Sequence, residues 1–162
     1  MSGDNLQELL NRLPQRGQVT WIGVRPAAGQ PMSVVTTVLA QQGSGLFGDR
    51  FKARSNDREV TLIQAEHINA VASMMGIEQI GPEILRRNIV VSGLNLLALK
   101  GKRFKVGEAV LEYTGPAHPC SKMEKALGAG GYNAMRGHGG ITSSIVSSGQ
   151  IMLGDNVLHA PT

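Results

Sequence analysis

The chain contains a single cysteine, Cys120, among 162 residues. A lone thiol excludes an internal disulfide, so packing and hydrogen bonds must hold the fold together. The chain opens on polar residues and a glycine instead of a basic stretch followed by an apolar run, and this pattern predicts no secretory signal. We therefore expect a cytoplasmic protein whose only thiol is free to take part in chemistry.

Long apolar runs are also missing. The longest candidates are interrupted by Gly, Asn, Lys or Arg, and none approaches the roughly 20 residues that a membrane-spanning helix needs. We expect no membrane partner. Aromatic residues make up only 4% of the chain, so aliphatic and methionine side chains must form the core. An apolar fraction of 41% can supply the core of one domain.

Excess charge is modest, at a net +4 from dispersed Lys and Arg side chains. These side chains either lie on solvated loops and strand edges or attract an anionic small molecule. Nucleic acid fits less well, because no zinc-finger or helix-turn-helix pattern is present and aromatic residues are too few for a stacking platform. We expect no nucleic-acid partner.

Familiar cofactor motifs are absent as well. The glycine-rich segment 128–133 lacks the third glycine of a dinucleotide-binding fingerprint and follows a predicted helix, and no phosphate-binding loop with Gly-Lys-Ser or Gly-Lys-Thr occurs. Structural zinc requires about four Cys or His ligands in close pairs, whereas the 4 histidines of this chain are scattered. The sequence therefore predicts neither a nucleotide nor a zinc ion.

What the chain does contain is a succession of short β-branched runs separated by glycines. Such runs predict strands, and this number of strands in one domain predicts a barrel or a sandwich. The predicted strands are residues 19–24, 33–38, 60–63, 89–91, 103–106, 110–113, 141–146 and 157–159. The glycine-rich segment 43–48 between two of them has the composition of a mobile flap.

Helices are predicted to interrupt the strands. Asp4 and Gln7 form a capping pattern before a stripe of leucines, which predicts a short N-terminal helix that covers the core. A second apolar stripe predicts a helix over residues 65–75, with Gly76 as its C-cap.

Cys120 follows Pro119, and a helix is predicted to begin there with Cys120 in its first turn. Unpaired backbone N–H groups and the positive end of the helix dipole favour a thiolate at that position. Lys122 and a protonated His118 would add to this effect. Two alternatives remain: a small, buried, inert cysteine, and a Cys–His hydrolase in which His118 or His138 activates the thiol.

Two more segments have the composition of ligand-binding sites. Arg86, Arg87 and Asn88 come directly before a predicted strand, and guanidinium groups suit phosphate and carboxylate. The alternative is an ordinary solvated strand entry.

The other segment contains His138, Gly139 and Gly140. Glycines this dense let a backbone approach a ligand closely or take positive φ angles. The alternative is a tight loop, in which His138 merely bonds to a turn.

In their order along the chain, several segments resemble the MOSC domain, a family named for the C-terminal region of molybdenum cofactor sulfurases. The resemblance runs from about Val19 to Val157 and is carried by residues 48–50, 58–66, 85–90, 101–107, 119–124 and 139–141, followed by 154–155. It implies a mainly β fold with short helices, in the form of a single MOSC-like β-barrel domain. We place that domain at residues 18–162, behind an N-terminal helical extension at residues 1–17.

The resemblance also implies a role for the cysteine. Cys120 would be the catalytic residue and the thiolate ligand of molybdenum in a pterin cofactor, and residues 86–88 would hold the pterin phosphate. Gly139 and Gly140 would let the loop approach the cofactor. The predicted cofactor-binding residues are Arg86, Arg87, Asn88, His118, Lys122, His138, Gly139 and Gly140.

Three functions are compatible with this resemblance. The leading one is reduction of N-hydroxylated or N-oxygenated small molecules, with electrons from a separate donor protein because the chain has no room for a ferredoxin-type module. The second is a sulfur carrier: Cys120 takes a persulfide from a pyridoxal phosphate-dependent cysteine desulfurase for metal-sulfur cluster or cofactor sulfuration. The third is a non-catalytic module that binds an anion or the cofactor. Ala117-His118 stands where some relatives carry another cysteine, which excludes a dithiol mechanism within this loop.

Overall fold

The computed structural model describes residue 3, residues 5–50 and residues 56–161. Its strands are β1 (Gly17–Val24), β2 (Ser33–Val35), β3 (Thr37–Gln41), β4 (Gly45–Leu46), β5 (Val60–Gln64), β6 (Ile89–Ser92), β7 (Arg103–Val106), β8 (Ala109–Pro116), β9 (Ile141–Ser147), β10 (Gly149–Met152) and β11 (Asn156–His159). Its α-helices are α1 (Leu6–Asn11), α2 (Ala65–Met75), α3 (Pro82–Leu85), α4 (Ser121–Leu127) and α5 (Gly131–Met135). Short 3-10 turns occur at Asn56–Arg58 and Leu96–Leu99.

Seven of these strands close into a barrel. Their order around the ring is β11, β7, β8, β9, β5, β6 and β1, and β1 pairs with β11 to complete it. Closure leaves each of these strands with a neighbour on both sides, which removes free sheet edges. Strand β2 extends the barrel beside β1, and β10, β3 and β4 form a smaller sheet. The predicted mainly β, barrel-like fold is confirmed.

The site-bearing part of the barrel is the parallel pair of β5 and β6. Parallel neighbours need a crossover connection, and α2 and α3 provide it. Side chains alternate along these strands: Leu62 and Ile89 point into the barrel core, whereas Ile63 and Val90 pack under the helices. Both faces of the pair are therefore buried, as is usual for parallel strands.

A second apolar cluster joins the helices to this outer face. Its buried members are Ile63, Ile68, Val71, Ala72, Ile80, Leu85, Val90, Met123, Ala134 and Met135. They come from β5, β6, α2, α3, α4 and α5 and from the link between α2 and α3. The packing brings the start of α4 and the loop after α5 to the edge where the barrel meets the helices.

Helix α1 differs from its prediction. Its N-cap is Asn5, whose Oδ1 accepts from the N–H of Glu8 at 2.9 Å, and Glu8 accepts from the N–H of Asn5 in return. Asp4 lies outside the described residues. No residue of α1 is buried, so the prediction that this helix covers the core is wrong; Leu13, beyond the helix, packs against the barrel instead.

The segment 43–48 is not an open flap. Gly45 and Leu46 form β4, and Leu46 is 1% exposed in the barrel core. The buried carboxylate of Glu59 accepts from the backbone N–H of Gly43 at 2.9 Å and of Ile145 at 3.3 Å. One acidic side chain thus ties the hairpin to β9. Within the described residues, no helix is long and apolar enough to cross a membrane.

Candidate functional site

Cys120 is the N-cap residue of α4, one position before the first turn in which it was predicted. Its backbone is extended, with φ −127° and ψ 175°, and its side chain makes no capping hydrogen bond. The residue is exposed, which excludes the alternative of a buried, inert cysteine. The sulfur is therefore accessible to solvent and to a ligand.

Arg87 provides the buried cation beside this thiol. It is 7% exposed, and its guanidinium donates to three backbone carbonyls: from Nε to Gly139 at 2.8 Å, from Nη1 to Leu85 at 3.2 Å and from Nη2 to Ala117 at 3.5 Å. These carbonyls belong to three separate segments. Arg87 therefore joins the end of α3, the loop before β9 and the loop that leads to Cys120.

The surroundings of Arg87 lower the pKa of its guanidinium. Its pKa is lowered to about 10, mainly by burial and then by the positive charges of Arg58 and Arg25, while the charge of Cys120 opposes this shift. Arg87 stays protonated at neutral pH. Arg58 and Arg25 therefore lie close enough to Arg87 to act on its charge, as Cys120 does, and such a cluster of guanidinium groups favours an anionic ligand.

Arg25 is fixed by Asp49. The carboxylate of Asp49, whose side chain is 0% exposed, accepts from Arg25 Nε at 3.1 Å, Nη2 at 2.9 Å and the backbone N–H at 2.7 Å. A fork-like pair of this kind orients the guanidinium as well as neutralising it. Arg25 follows β1 directly, so the pair holds the strand end against the segment 48–50.

Asn88 is completely buried and links the strands beneath the site. Its Oδ1 accepts from the N–H and the hydroxyl of Thr61, and its Nδ2 donates to Gly23 O at 3.1 Å and to Asp49 Oδ1 at 3.3 Å. All the hydrogens of the amide are engaged. In this arrangement Asn88 organises β1, β5 and Asp49, and its cofactor-binding role stays a prediction.

The neighbouring arginines point in different directions. Arg86 has a left-handed φ of 60° as the C-cap of α3, and its Nη1 donates to Gln30 O at 2.6 Å. This turn sends Arg86 towards the segment after β1 while Arg87 enters the interior. The structure therefore brings Arg87, but not Arg86, to the carbonyls around the loop of Cys120.

Gly139 and Gly140 owe their presence to close packing of the chain on itself. A Cβ at Gly139 would lie 2.1 Å from Ala117 O, and a Cβ at Gly140 would lie 1.9 Å from Leu62 O. The carbonyl of Gly140 also accepts from the N–H of Ala117 at 2.8 Å. These glycines let the loop before β9 pack between β5 and the segment that leads to Cys120.

The remaining predicted residues lie around this loop. His118 and Lys122 are exposed on either side of Cys120 in the sequence. His138 is half-buried, its Nδ1 lies 3.0 Å from Ala134 O, and its ring contacts His67. Among the described residues, no group of three or more His, Cys, Asp or Glu side chains could hold a metal ion.

Comparison with protein-family models shows the family to which this chain belongs. The model described as the MOSC domain matches residues 39–158. The chain belongs to the MOSC domain family. The matched region contains Cys120, Arg87 and Asp49, and it confirms the family that the sequence resembles.

Solved structures share the fold of this MOSC chain. The YuaD protein from Bacillus subtilis aligns with a TM-score of 0.78 at 21% identity, over 93% of this chain and 100% of that chain. YiiM from Geobacillus stearothermophilus aligns with a TM-score of 0.73 at 19% identity, over 90% and 75% of the two chains. YiiM from Escherichia coli aligns with a TM-score of 0.67 at 18% identity, over 90% of this chain and 70% of that chain. Comparison with curated proteins gave no significant match.

Sequence reasoning missed three residues of this MOSC site: Arg25, Asp49 and Arg58. Asp49 and Arg58 lie in segments that carry the family resemblance but had no role assigned, and Arg25 lies outside those segments, directly after β1. A charged residue directly after a predicted strand was the available signal in the case of Arg25. Only the closed barrel shows that Arg25 and Asp49 meet.

We predict that Asp49→Asn destabilises this MOSC domain by about 2 kcal/mol, because Arg25 loses charge-assisted hydrogen bonds in a buried setting. Urea unfolding followed by the fluorescence of Trp21 measures the change. Asp57→Asn is the matched control, since Asp57 is exposed, and we expect it to change the free energy of unfolding by less than about 0.5 kcal/mol. Equal effects from the two substitutions would contradict the role of Asp49.

Proposed function

We propose that this MOSC protein binds a molybdenum–pterin cofactor through Cys120 and reduces N-hydroxylated or related N-oxygenated small molecules. The observation that carries the proposal is an exposed thiol beside the buried guanidinium of Arg87. Arg25 and Arg58 lie close enough to Arg87 to lower its pKa. Molybdenum in a pterin dithiolene accepts soft thiolate ligands. Guanidinium forks suit the pterin phosphate.

The residues present fit such a cofactor. The sulfur of Cys120 is exposed and makes no capping bond that a metal would have to displace. Asp49 balances Arg25, which leaves Arg58 and Arg87 to offset the negative charge of a phosphate. Arg87 is held by three carbonyls, so little conformational entropy is lost when it binds an anion.

The bound cofactor would supply a metal that changes oxidation state. In the net reaction an N-hydroxylated base takes up a pair of electrons and a pair of protons; the N–O bond breaks, the oxygen leaves as water and the nitrogen keeps a hydrogen. A separate donor protein supplies the electrons. Cys120 would hold the metal, Arg87 would orient the anionic end of the cofactor, and His118, exposed near Cys120 in the sequence, would deliver a proton from its ring.

The proposed activity is tested with protein expressed in a host that makes the pterin cofactor and is supplied with molybdate. An N-hydroxylated base is the substrate and a reduced dye is the electron donor. We expect Cys120→Ala to lose activity by roughly a hundredfold or more, and Lys125→Ala, which changes an exposed residue of α4, to keep it. Reduction by Cys120→Ala at the parent rate would overturn the proposal.

A sulfur carrier is the second candidate, and the exposure of an only thiol favours it. The thiolate of Cys120 attacks the terminal sulfur of a persulfide on a cysteine desulfurase; the donor S–S bond breaks and the donor cysteine leaves as a thiolate. Intact-mass spectrometry after incubation with such a donor would detect one added sulfur atom on the parent and none on Cys120→Ala. No added sulfur from several donors would contradict this candidate.

The third candidate, an anion-binding module without turnover, makes a different prediction. Cofactor or phosphate would bind equally to the parent and to Cys120→Ala, because only Arg87 and its neighbours would hold the ligand. Binding that depends on Arg87 but not on Cys120 would therefore favour this candidate over both others.

A further inference from the structure

Two histidines meet at the edge of the helical layer, outside the contacts of Cys120. His67 lies near the start of α2, and His138 lies between α5 and β9. Their ring centroids are 5.1 Å apart and the rings are nearly perpendicular, at 85°. Both residues are half-buried. Aromatic rings favour this edge-to-face arrangement over a face-to-face stack.

His138 is held by hydrogen bonds of its backbone N–H and of its ring. Its N–H donates to Met135 O at 2.8 Å. Its Nδ1 lies 3.0 Å from Ala134 O, and because a carbonyl only accepts hydrogen bonds, Nδ1 carries the proton. The neutral ring is therefore the Nδ1–H tautomer. These bonds tie His138 to the last turn of α5.

The next residue connects this pair to the site. The carbonyl of Gly139 accepts from Arg87 Nε at 2.8 Å, and Gly140 is wedged against Leu62 of β5. The loop has no room to move on the side of β5. A displacement of His138 must therefore move the Gly139 carbonyl away from Arg87 or strain the bond between them.

The charges around His67 favour its neutral form. Burial lowers its pKa below the ordinary value, the charge of His138 lowers it further, and Glu66 opposes the shift. Glu66 is engaged with the N–H of Gly93 at 2.8 Å. From the other packed elements, Arg87 lies beyond Gly139, and Arg136 bonds to Asn133 on α5. A positive charge on His67 is therefore unfavourable at this contact.

We propose that His67 is a positioning residue: its neutral ring holds His138, and through it the Gly139 carbonyl, where that carbonyl accepts the hydrogen bond from Arg87. Acidification that charges His67 weakens this contact and, with it, the hold on Arg87. A role of this coupling in anion binding rests on the proposed function. The coupling from His67 to Arg87 does not, because it is a property of the protein without cofactor.

The test follows the Nε–H of Arg87 by ¹⁵N NMR in cofactor-free protein, assigned by its loss in Arg87→Lys. The quantity compared is the protection of this proton, that is, its exchange rate relative to that of free arginine at the same pH, because exchange is itself base-catalysed. In the parent, we expect strong protection at about pH 8 and weaker protection towards about pH 5, the range in which histidine titrates. His67→Phe keeps an aromatic ring but takes no charge, so the protection should stay strong at low pH. His67→Ala removes the contact, so exchange should rise up to roughly tenfold at every pH.

His159→Phe is the matched control, since it makes the same replacement at a histidine on β11, which does not belong to this pair; it should leave the parent profile unchanged. Stability gives a second readout. Because the pKa of His67 is lowered in the folded state, its contribution is complete above the ordinary value of about 6.5 and is lost as the pH falls below it. His67→Phe should flatten that loss.

The proposal is overturned if His67→Ala exchanges the Arg87 proton as slowly as the parent, or if His67→Phe keeps the parent pH dependence. The His67→Phe result decides the matter even if His67→Ala does not fold. A protein that binds no molybdenum but shows the expected exchange would contradict the proposed function alone. A protein that binds molybdenum but shows no effect of His67 would contradict this inference alone.

Discussion

Gly140→Ala is expected to cost at least roughly 4 kcal/mol of unfolding free energy, the largest effect of any substitution considered for this chain. Gly140 has φ +86°, and a Cβ there would lie 1.9 Å from Leu62 O and 2.9 Å from Ile63 Cα. Both atoms belong to the backbone of β5, so neither moves aside as a flexible side chain would. Urea unfolding followed by the fluorescence of Trp21 measures the loss.

Gly137→Ala separates the clash from the backbone conformation. Gly137 has a similar φ of +79°, but a Cβ there would meet nothing within 4 Å. We expect this substitution to cost only about 1–2 kcal/mol, the usual cost of a left-handed conformation for a residue with a side chain. If both glycines cost the same, the close approach of the loop to β5 would not be the reason for Gly140.

Arg87→Met should have the second largest effect, both on stability and on the reactivity of Cys120. The substitution leaves carbonyls of Leu85, Ala117 and Gly139 without their donor, and unpaired buried polar groups make this cost about 2–4 kcal/mol. Loss of the cation should also slow alkylation of Cys120 by iodoacetamide several-fold, because the thiolate is the reacting form. Cys120 is the only thiol, so the rate reports on this site alone.

Arg86→Met is the control for Arg87→Met. It removes the same charge one residue away, but its guanidinium bonds to Gln30 O outside the cluster. We expect the rate of Cys120 alkylation to stay within about twofold of the parent and the stability to change by less than about 1 kcal/mol. Equal slowing by both substitutions would mean that Cys120 responds to net charge and not to the contacts of Arg87.

The strands follow from local features of the sequence. Runs such as residues 103–106 alternate in burial along the strand, and local propensity and periodicity are sufficient to predict them. Strand β10 was missed because Gln150 and Met152 give little β signal. Cys120 is exposed, which decides between the reactive thiol and the buried cysteine that the sequence had left open. Its helix begins at Ser121, two residues after Pro119, near which its start was predicted, and this is within the usual precision of helix ends.

The organisation of the site depends on contacts between distant segments. Arg86 and Arg87 are adjacent and chemically identical in the sequence, yet a left-handed φ at Arg86 separates their side chains. The pairing of Arg25 with Asp49 depends on the end of β1 meeting the turn after β4. Gly139 and Gly140 look like a ligand-binding loop, but the atoms nearest to them belong to the chain itself. None of these relations has a local pattern in the sequence.

The molybdenum content of the purified protein tests the proposed role of Cys120 most directly. The parent, Cys120→Ala and Arg86→Met proteins would be expressed side by side in a molybdate-supplied host with intact pterin cofactor synthesis, and the metal measured by mass spectrometry. We predict near-stoichiometric molybdenum in the parent and in Arg86→Met, and its loss in Cys120→Ala. Equal molybdenum in the parent and in Cys120→Ala would contradict the assignment of this thiolate as the metal ligand.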